Sequence, residues 1–197
     1  MIHRFIWYEN CIIESIKKLK GRVKLNGQTL KKLEEIKEAR LEWIESSKRN
    51  NFNFDAILSG LYKDASHFIF EIIQNAEDAG ASRIEFYLKE SGLEIIHNGR
   101  NFTIEDIDSV TSIGNSTKKE DINAIGKFGV GFKSVYAVTS TPVIKSGEFD
   151  ITIKDFVLPQ INLYKEKHKD TRIILEFKHK FRSAAEIYEK TRSRLEA

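Results

Sequence analysis

Apolar residues recur every three to four positions through the first fifty residues. Ile12, Ile13, Ile16 and Leu19 mark one stripe, and Leu30, Leu33, Ile36, Leu41 and Ile44 a second. That period belongs to two amphipathic helices, the second over about residues 28–48. Asn26-Gly27 separates them, so an antiparallel helical hairpin is expected, packed as a brace on the rest of the chain. Asn50, Asn51 and Asn53 mark a boundary. Residues 1–50 are therefore read as a helical extension and residues 51–197 as the main domain.

Beyond Phe54 the period changes. A helix is predicted over 64–79, stopped by Gly80. Arg83 to Lys89 alternates as a strand, Ser91-Gly92 is a hairpin turn, and Leu93 to His97 returns. Asn98-Gly99 signals another turn. Thr103 caps a short helix with Asp106 three residues on. A polar stretch covers Ile113 to Asn123. The glycine-rich run Gly126 to Gly131 leads into a helix ending near Val138. Strands are predicted at 142–146, 149–154 and 171–177, with an irregular stretch around Pro159 between the last two. A final helix runs from Ser183 to Leu195. Strands and helices mix, with a hairpin among them, which favours an α+β fold over a parallel doubly wound sheet.

Composition narrows the class. With 41% hydrophobic and 31% charged residues, the 197-residue chain has a globular balance. Its net charge of +3 on 61 charged side chains gives no reason to expect nucleic acid; the basic tract from Lys17 to Lys24 reads as a solvated helix end. Cys11 is the one cysteine, so no intrachain disulfide forms. No apolar run reaches the roughly 20 residues of a membrane helix, and the N-terminus lacks the pattern of a signal peptide. A cytoplasmic protein is expected.

Three segments carry candidate chemistry. Glu71, Asn75 and Asp78 fall at i, i+4 and i+7 on one helix face. A carboxylate one turn from a carboxamide suits magnesium chemistry, because the amide oxygen is a hard ligand and the carboxylate can orient water. The run Ile125-Gly-Lys-Phe-Gly-Val-Gly-Phe132 places glycines where backbone can approach a ligand, just before a helix whose N-terminus favours phosphate. Its order fits neither a Rossmann fingerprint nor a Walker loop. The strand end from Glu94 to Thr103 exposes polar groups at a glycine turn. Taken singly, the first reads rather as a solvated helix face, the second equally as a structural turn, and the third rather as an ordinary strand end.

Together, in this order and spacing, they resemble the superfamily of gyrase, heat-shock chaperones, histidine kinases and MutL (GHKL). Ile125–Phe132 with Ser134 reads like the phosphate loop of the chaperone branch. Glu71–Ala79, Gly114–Lys118 and Ile125–Tyr136 are similar to the sacsin-like branch. Asp170–Leu175 looks like the family's late strand, whose Thr lies beneath the adenine. The resemblance covers about residues 55–178. It implies a Bergerat fold, a two-layer α/β sandwich with a mixed, mostly antiparallel sheet. It also implies ATP with Mg2+ between helices and sheet. Glu71 is then the catalytic base, Asn75 the metal ligand, and Asp78 with Ala79 the pocket wall. Gly126, Lys127, Phe128, Gly129, Val130, Gly131 and Phe132 line the phosphates. Ser116, Thr117 and Lys118 begin a lid over 113–123. His97, Asn98, Gly99, Asn101, Phe102 and Thr171 hold the base.

One departure bears on the base. Where the superfamily has Asp-x-Gly-x-Gly, this chain has His97-Asn98-Gly99-Arg100-Asn101. The adenine amino group would be accepted by a neutral His97 with a bare ring nitrogen, or by Asn98 if the turn shifts by one residue. The resulting expectation is an ATP-binding module with slow hydrolysis, whose closure moves neighbouring domains of a larger protein or a homodimer mate. The alternative is a nucleotide-binding regulatory module without catalysis. Histidine-kinase phosphotransfer is disfavoured, because residues 1–50 hold only His3.

Overall fold

The computed structural model describes residues 25–50, 66–112, 131–162 and 166–197. Helix α1 spans Gly27–Arg49 and is capped by Asn26, whose side chain accepts from the Thr29 amide at 2.8 Å. Helix α2 spans Phe68–Asp78. Strands β1 (Ile84–Lys89) and β2 (Gly92–His97) follow, then helix α3 (Ile104–Thr111). A 3-10 helix covers Gly131–Ala137. Strands β3 (Val143–Gly147), β4 (Phe149–Lys154), β5 (Leu158–Ile161) and β6 (His168–Glu176) and helix α4 (Ala184–Leu195) complete the order. The first helix of the expected hairpin, with Cys11, lies outside the described residues.

The six strands form one sheet in the order β1-β2-β6-β3-β4-β5. Every neighbouring pair is antiparallel; the parallel contribution is an isolated bridge between Thr139 and Lys178. Alternation decides what each face does. On the inner face, Leu88, Leu93 and Leu175 form one cross-strand row, and Phe86, Ile95, Ile173 and Ile144 the next. These rows meet Phe68, Ile69 and Ile72 of α2, Ile107 and Val110 of α3, and Ile187 of α4 in one core. The outer face is polar: Arg172 pairs with Glu94 at 3.0 Å and Lys145 with Asp150 at 3.5 Å. One layer of helices on one sheet is the two-layer α+β sandwich expected.

Two elements differ from the sequence reading. The stretch around Pro159 is strand β5, with Pro159 opposite Ile153. Proline is tolerated there because β5 is the sheet edge, where one side of the backbone needs no partner. The helix expected after Gly131 is instead 3-10. Residues Phe132 to Ala137 are all buried, so no solvated face rewards the α period. The Ser134 hydroxyl also donates back to the Gly131 carbonyl at 2.6 Å, favouring a tight turn.

Candidate functional site

Helix α2 builds the first wall. Phe68, Ile69, Ile72 and Ala76 are buried, which fixes the rotation of the helix and sets Glu71 and Asn75 at the margin of its inner face, both half-buried. The helix ends with left-handed Gly80 at φ 71°. The Ala81 amide donates to the Ala76 carbonyl at 2.9 Å and the Gly80 amide to Glu77 at 2.8 Å, the paired bonds of a Schellman stop. Exposed Asp78 and half-buried Ala79 sit at this end.

That end docks on the turn after β2. The Arg100 amide donates to the Ala79 carbonyl at 2.8 Å. A Cβ on Gly99 would lie 2.9 Å from the same oxygen and 3.0 Å from the Ala79 methyl, so no larger residue fits. At its other end α2 meets the 3-10 helix. A Cβ on Gly131 would fall on the Glu71 carboxylate. The last glycine of the glycine-rich run therefore lies directly against Glu71. His67 holds that carboxylate from the other side, with Nε2 3.1 Å from Oε1. From Glu71 to Ala79 the helix covers about 12 Å.

The floor is the third cross-strand row of the inner face, where apolar residues give way to polar ones. His97 stands opposite Thr171 in register. Thr171 Oγ1 lies 2.6 Å from Ser146 Oγ, on the next strand. Ser146 Oγ accepts from the Phe102 amide at 2.9 Å and donates to Asn101 Oδ1 at 3.3 Å. His97, Thr171 and Ser146 are 3%, 0% and 0% exposed. Burying the two hydroxyls is tolerated because they satisfy each other, and the His97 ring takes a backbone amide.

The two candidate base acceptors have different surroundings. Asn98 is exposed, and its carboxamide is engaged on the preceding loop: Oδ1 accepts from the Ser82 and Arg83 amides at 3.0 Å each, and Nδ2 donates to Ser82 Oγ at 2.9 Å. It braces the turn. His97 is buried, and its Nδ1 accepts from the Gly99 amide at 3.2 Å. Burial holds its imidazole below the ordinary range, against the charge of Asp170, which acts the other way.

Among the described residues, the Asn75 carboxamide and the Asp78 carboxylate have no hydrogen-bond or ion-pair partner. No cluster of three or more His, Cys, Asp and Glu side chains among those residues is arranged to hold a metal. Magnesium needs no such cage where phosphates complete its shell, and a half-buried carboxamide one turn from Glu71 fits that manner of binding. Ser116, Thr117, Lys118, Gly126, Lys127, Phe128, Gly129 and Val130 lie outside the described residues. Gly131 and Phe132 are described, the latter 1% exposed within the core.

The sacsin domain family model matches residues 53–196. The chain belongs to the sacsin domain family. The sacsin domain here is 32% identical over 143 residues to the protein NO VEIN of Arabidopsis thaliana, covering 58% of this chain and 5% of that protein. It is 36% identical over 104 residues to human sacsin, covering 44% and 2%. A bacterial relative, the chaperone protein HtpG of Aliarcobacter butzleri, is 29% identical over 144 residues, covering 47% and 22%. The sacsin domain thus spans a small part of each curated relative. Among solved structures, the N-terminal domain of a DNA repair protein superposes with a TM-score of 0.51 at 14% identity, over 71% of this chain and 45% of that one; this likeness concerns the fold.

One part of the site escaped the sequence reading. The link of Ser146 to Thr171 depends on β3 and β6 being neighbours. The inward register, two residues after Ile144, is the signal for it. Lys133 is a buried titratable group outside the site. It is 7% exposed, and Nζ donates to the Val110 and Phe156 carbonyls at 2.7 Å each. Burial pushes its ammonium down to about 7, and the Arg40 charge acts the same way. A neutral amine has two N–H donors, matching the two carbonyls. No membrane-spanning helix occurs among the described residues.

Proposed function

We propose that this sacsin domain binds ATP with Mg2+ and hydrolyses it slowly, as a module that repositions neighbouring parts of a larger protein. The observation that carries the reading is the contact between Glu71 and Gly131. It puts a carboxylate, a carboxamide one turn away and the end of a glycine-rich run at one point, with a buried polar row at the far end of the same helix. The kinship with HtpG supports the same reading.

In this arrangement the Glu71 carboxylate orients water and accepts its proton, with His67 steadying Oε1. Asn75 would hold Mg2+ through its amide oxygen, and the bound ion would screen phosphate charge. The polar row would take the base. A second reading, a nucleotide-binding module without catalysis, shares the pocket and differs at Glu71.

Calorimetric titration of ATP with and without Mg2+, beside Asn75→Ala, tests the binding. Magnesium-dependent binding that weakens in the variant is expected; metal-independent binding unchanged by the variant would remove Asn75 from the site. Glu71→Gln separates the two readings. Affinity within about threefold of wild type and turnover lowered by about 100-fold or more is the catalytic outcome. Nucleotide binding with phosphate release at the background rate in both proteins would favour the regulatory module.

A further inference from the structure

The polarity of the buried row at the base end is fixed by one contact. The Gly99 amide points into His97 Nδ1 at 3.2 Å. A backbone amide can only donate, so Nδ1 must carry its lone pair. A neutral imidazole has one proton, which is then held on Nε2. Moving it to Nδ1 would set two donors against each other at a site 3% exposed. Burial also disfavours the doubly protonated ring, despite the nearby charge of Asp170. Among the described residues Nε2 has no hydrogen-bond partner.

The neighbours do not reverse this polarity. The Thr171 and Ser146 hydroxyls bond each other, and Ser146 also takes the Phe102 amide. Hydroxyls rotate and can donate or accept. His97 cannot, because its tautomer is pinned by the backbone.

We propose that His97 presents a fixed Nε2–H donor to the base of a purine nucleotide, which is selected by a hydrogen-bond acceptor on its edge and not by an amino group. The proposal rests on the nucleotide-binding reading above and names the chemistry by which the base is recognised. A 6-oxo oxygen satisfies Nε2–H. A 6-amino group set against it leaves donor facing donor. The residue is thus specificity-determining, and its preference is opposite to that of a carboxylate at the same strand end.

The test compares ATP, ITP and purine riboside triphosphate, which lacks a 6-substituent, by calorimetry with Mg2+ on the chain and on His97→Asp. On wild type, ITP is expected to bind at least as tightly as ATP, and the unsubstituted purine within about threefold of ATP. In His97→Asp the order should reverse, with ATP favoured over ITP by about tenfold or more. Wild-type preference for ATP over ITP by that margin would overturn the proposal while leaving nucleotide binding intact. Binding of none of the three would overturn both. Nitrogen-15 NMR of the wild-type imidazoles provides a readout independent of the variant's folding. Nε2 protonated and Nδ1 bare between pH 6 and 8 is the expected state; a proton on Nδ1 refutes the proposal.

Discussion

The carboxylate of Glu71 and the absent side chain of Gly131 are one feature seen from two elements. A Cβ at residue 131 meets the far end of a flexible side chain, so the fold can yield but the carboxylate must leave its place. Gly131→Ala is expected to cost about 1 kcal/mol of stability or less while lowering single-turnover hydrolysis about as much as Glu71→Gln. A melt separates this from unfolding. Lys133 makes a different prediction. Its pKa is depressed from 10.5 to about 7, so between those values the unfolded chain binds more protons than the folded one. Stability contributed by this residue therefore rises as pH increases from about 7 towards 10.5. Below 7 the buried ammonium carries its full desolvation cost. Lys133→Met should remove that slope. At pH 9 the variant should be less stable by about 1–3 kcal/mol, because the Val110 and Phe156 carbonyls lose their donor. Urea unfolding of both proteins at pH 7 and pH 9 measures this.

Helix α3 shows how a short element is made to hold. Eight residues are too few to be helical by propensity alone. Thr103 and Asp106 close a reciprocal capping box, and Arg100 grips the Asp106 carboxylate at 2.5 and 3.1 Å. Burial alone would raise the Asp106 carboxyl, but the Arg100 bond, the Thr103 amide and the Arg100 charge bring it below its usual range. Helix α1 lies on α3, with Arg40 paired to Asp108 and Lys32 to Glu105. Thr103→Ala is expected to destabilise by about 1 kcal/mol. Hydrogen exchange should show the loss concentrated in α3.

At the scale of the molecule, α1 belongs to the core. Leu33 is 1% exposed within the same apolar cluster as the sheet, and Ile36 and Ile44 on the same helix are buried too. Removing residues 1–48 would expose this surface and strip α3 of its partners. The truncated chain should melt at least about 10 °C lower or precipitate. A soluble, well-folded remainder with the parent melting temperature would refute the bracing role. A boundary at residue 50 then marks a change of pattern along the chain, with the packing continuous across it.

Sequence by itself determined the elements whose cause is local. The helix stop at Gly80, the β1–β2 hairpin, the capping box at Thr103 and the period of α1 are each written in residues a few positions apart, although the hairpin turn falls on Glu90-Ser91, one residue before the Ser91-Gly92 expected, with Gly92 in β2 opposite Lys89. It also put Glu71 and Asn75 on one helical face and supplied the family resemblance. Tertiary structure decided what depends on neighbours distant in the chain. Pro159 sits in a strand because β5 is an edge. Gly131 opens a 3-10 helix because its surroundings bury every following side chain. Ser146 meets Thr171 because β3 lies beside β6. Asn98 and His97 looked interchangeable along the chain. The fold sends one outward to brace a loop and buries the other with a backbone amide on Nδ1, because alternate residues at a strand end face opposite ways and only one faces the core.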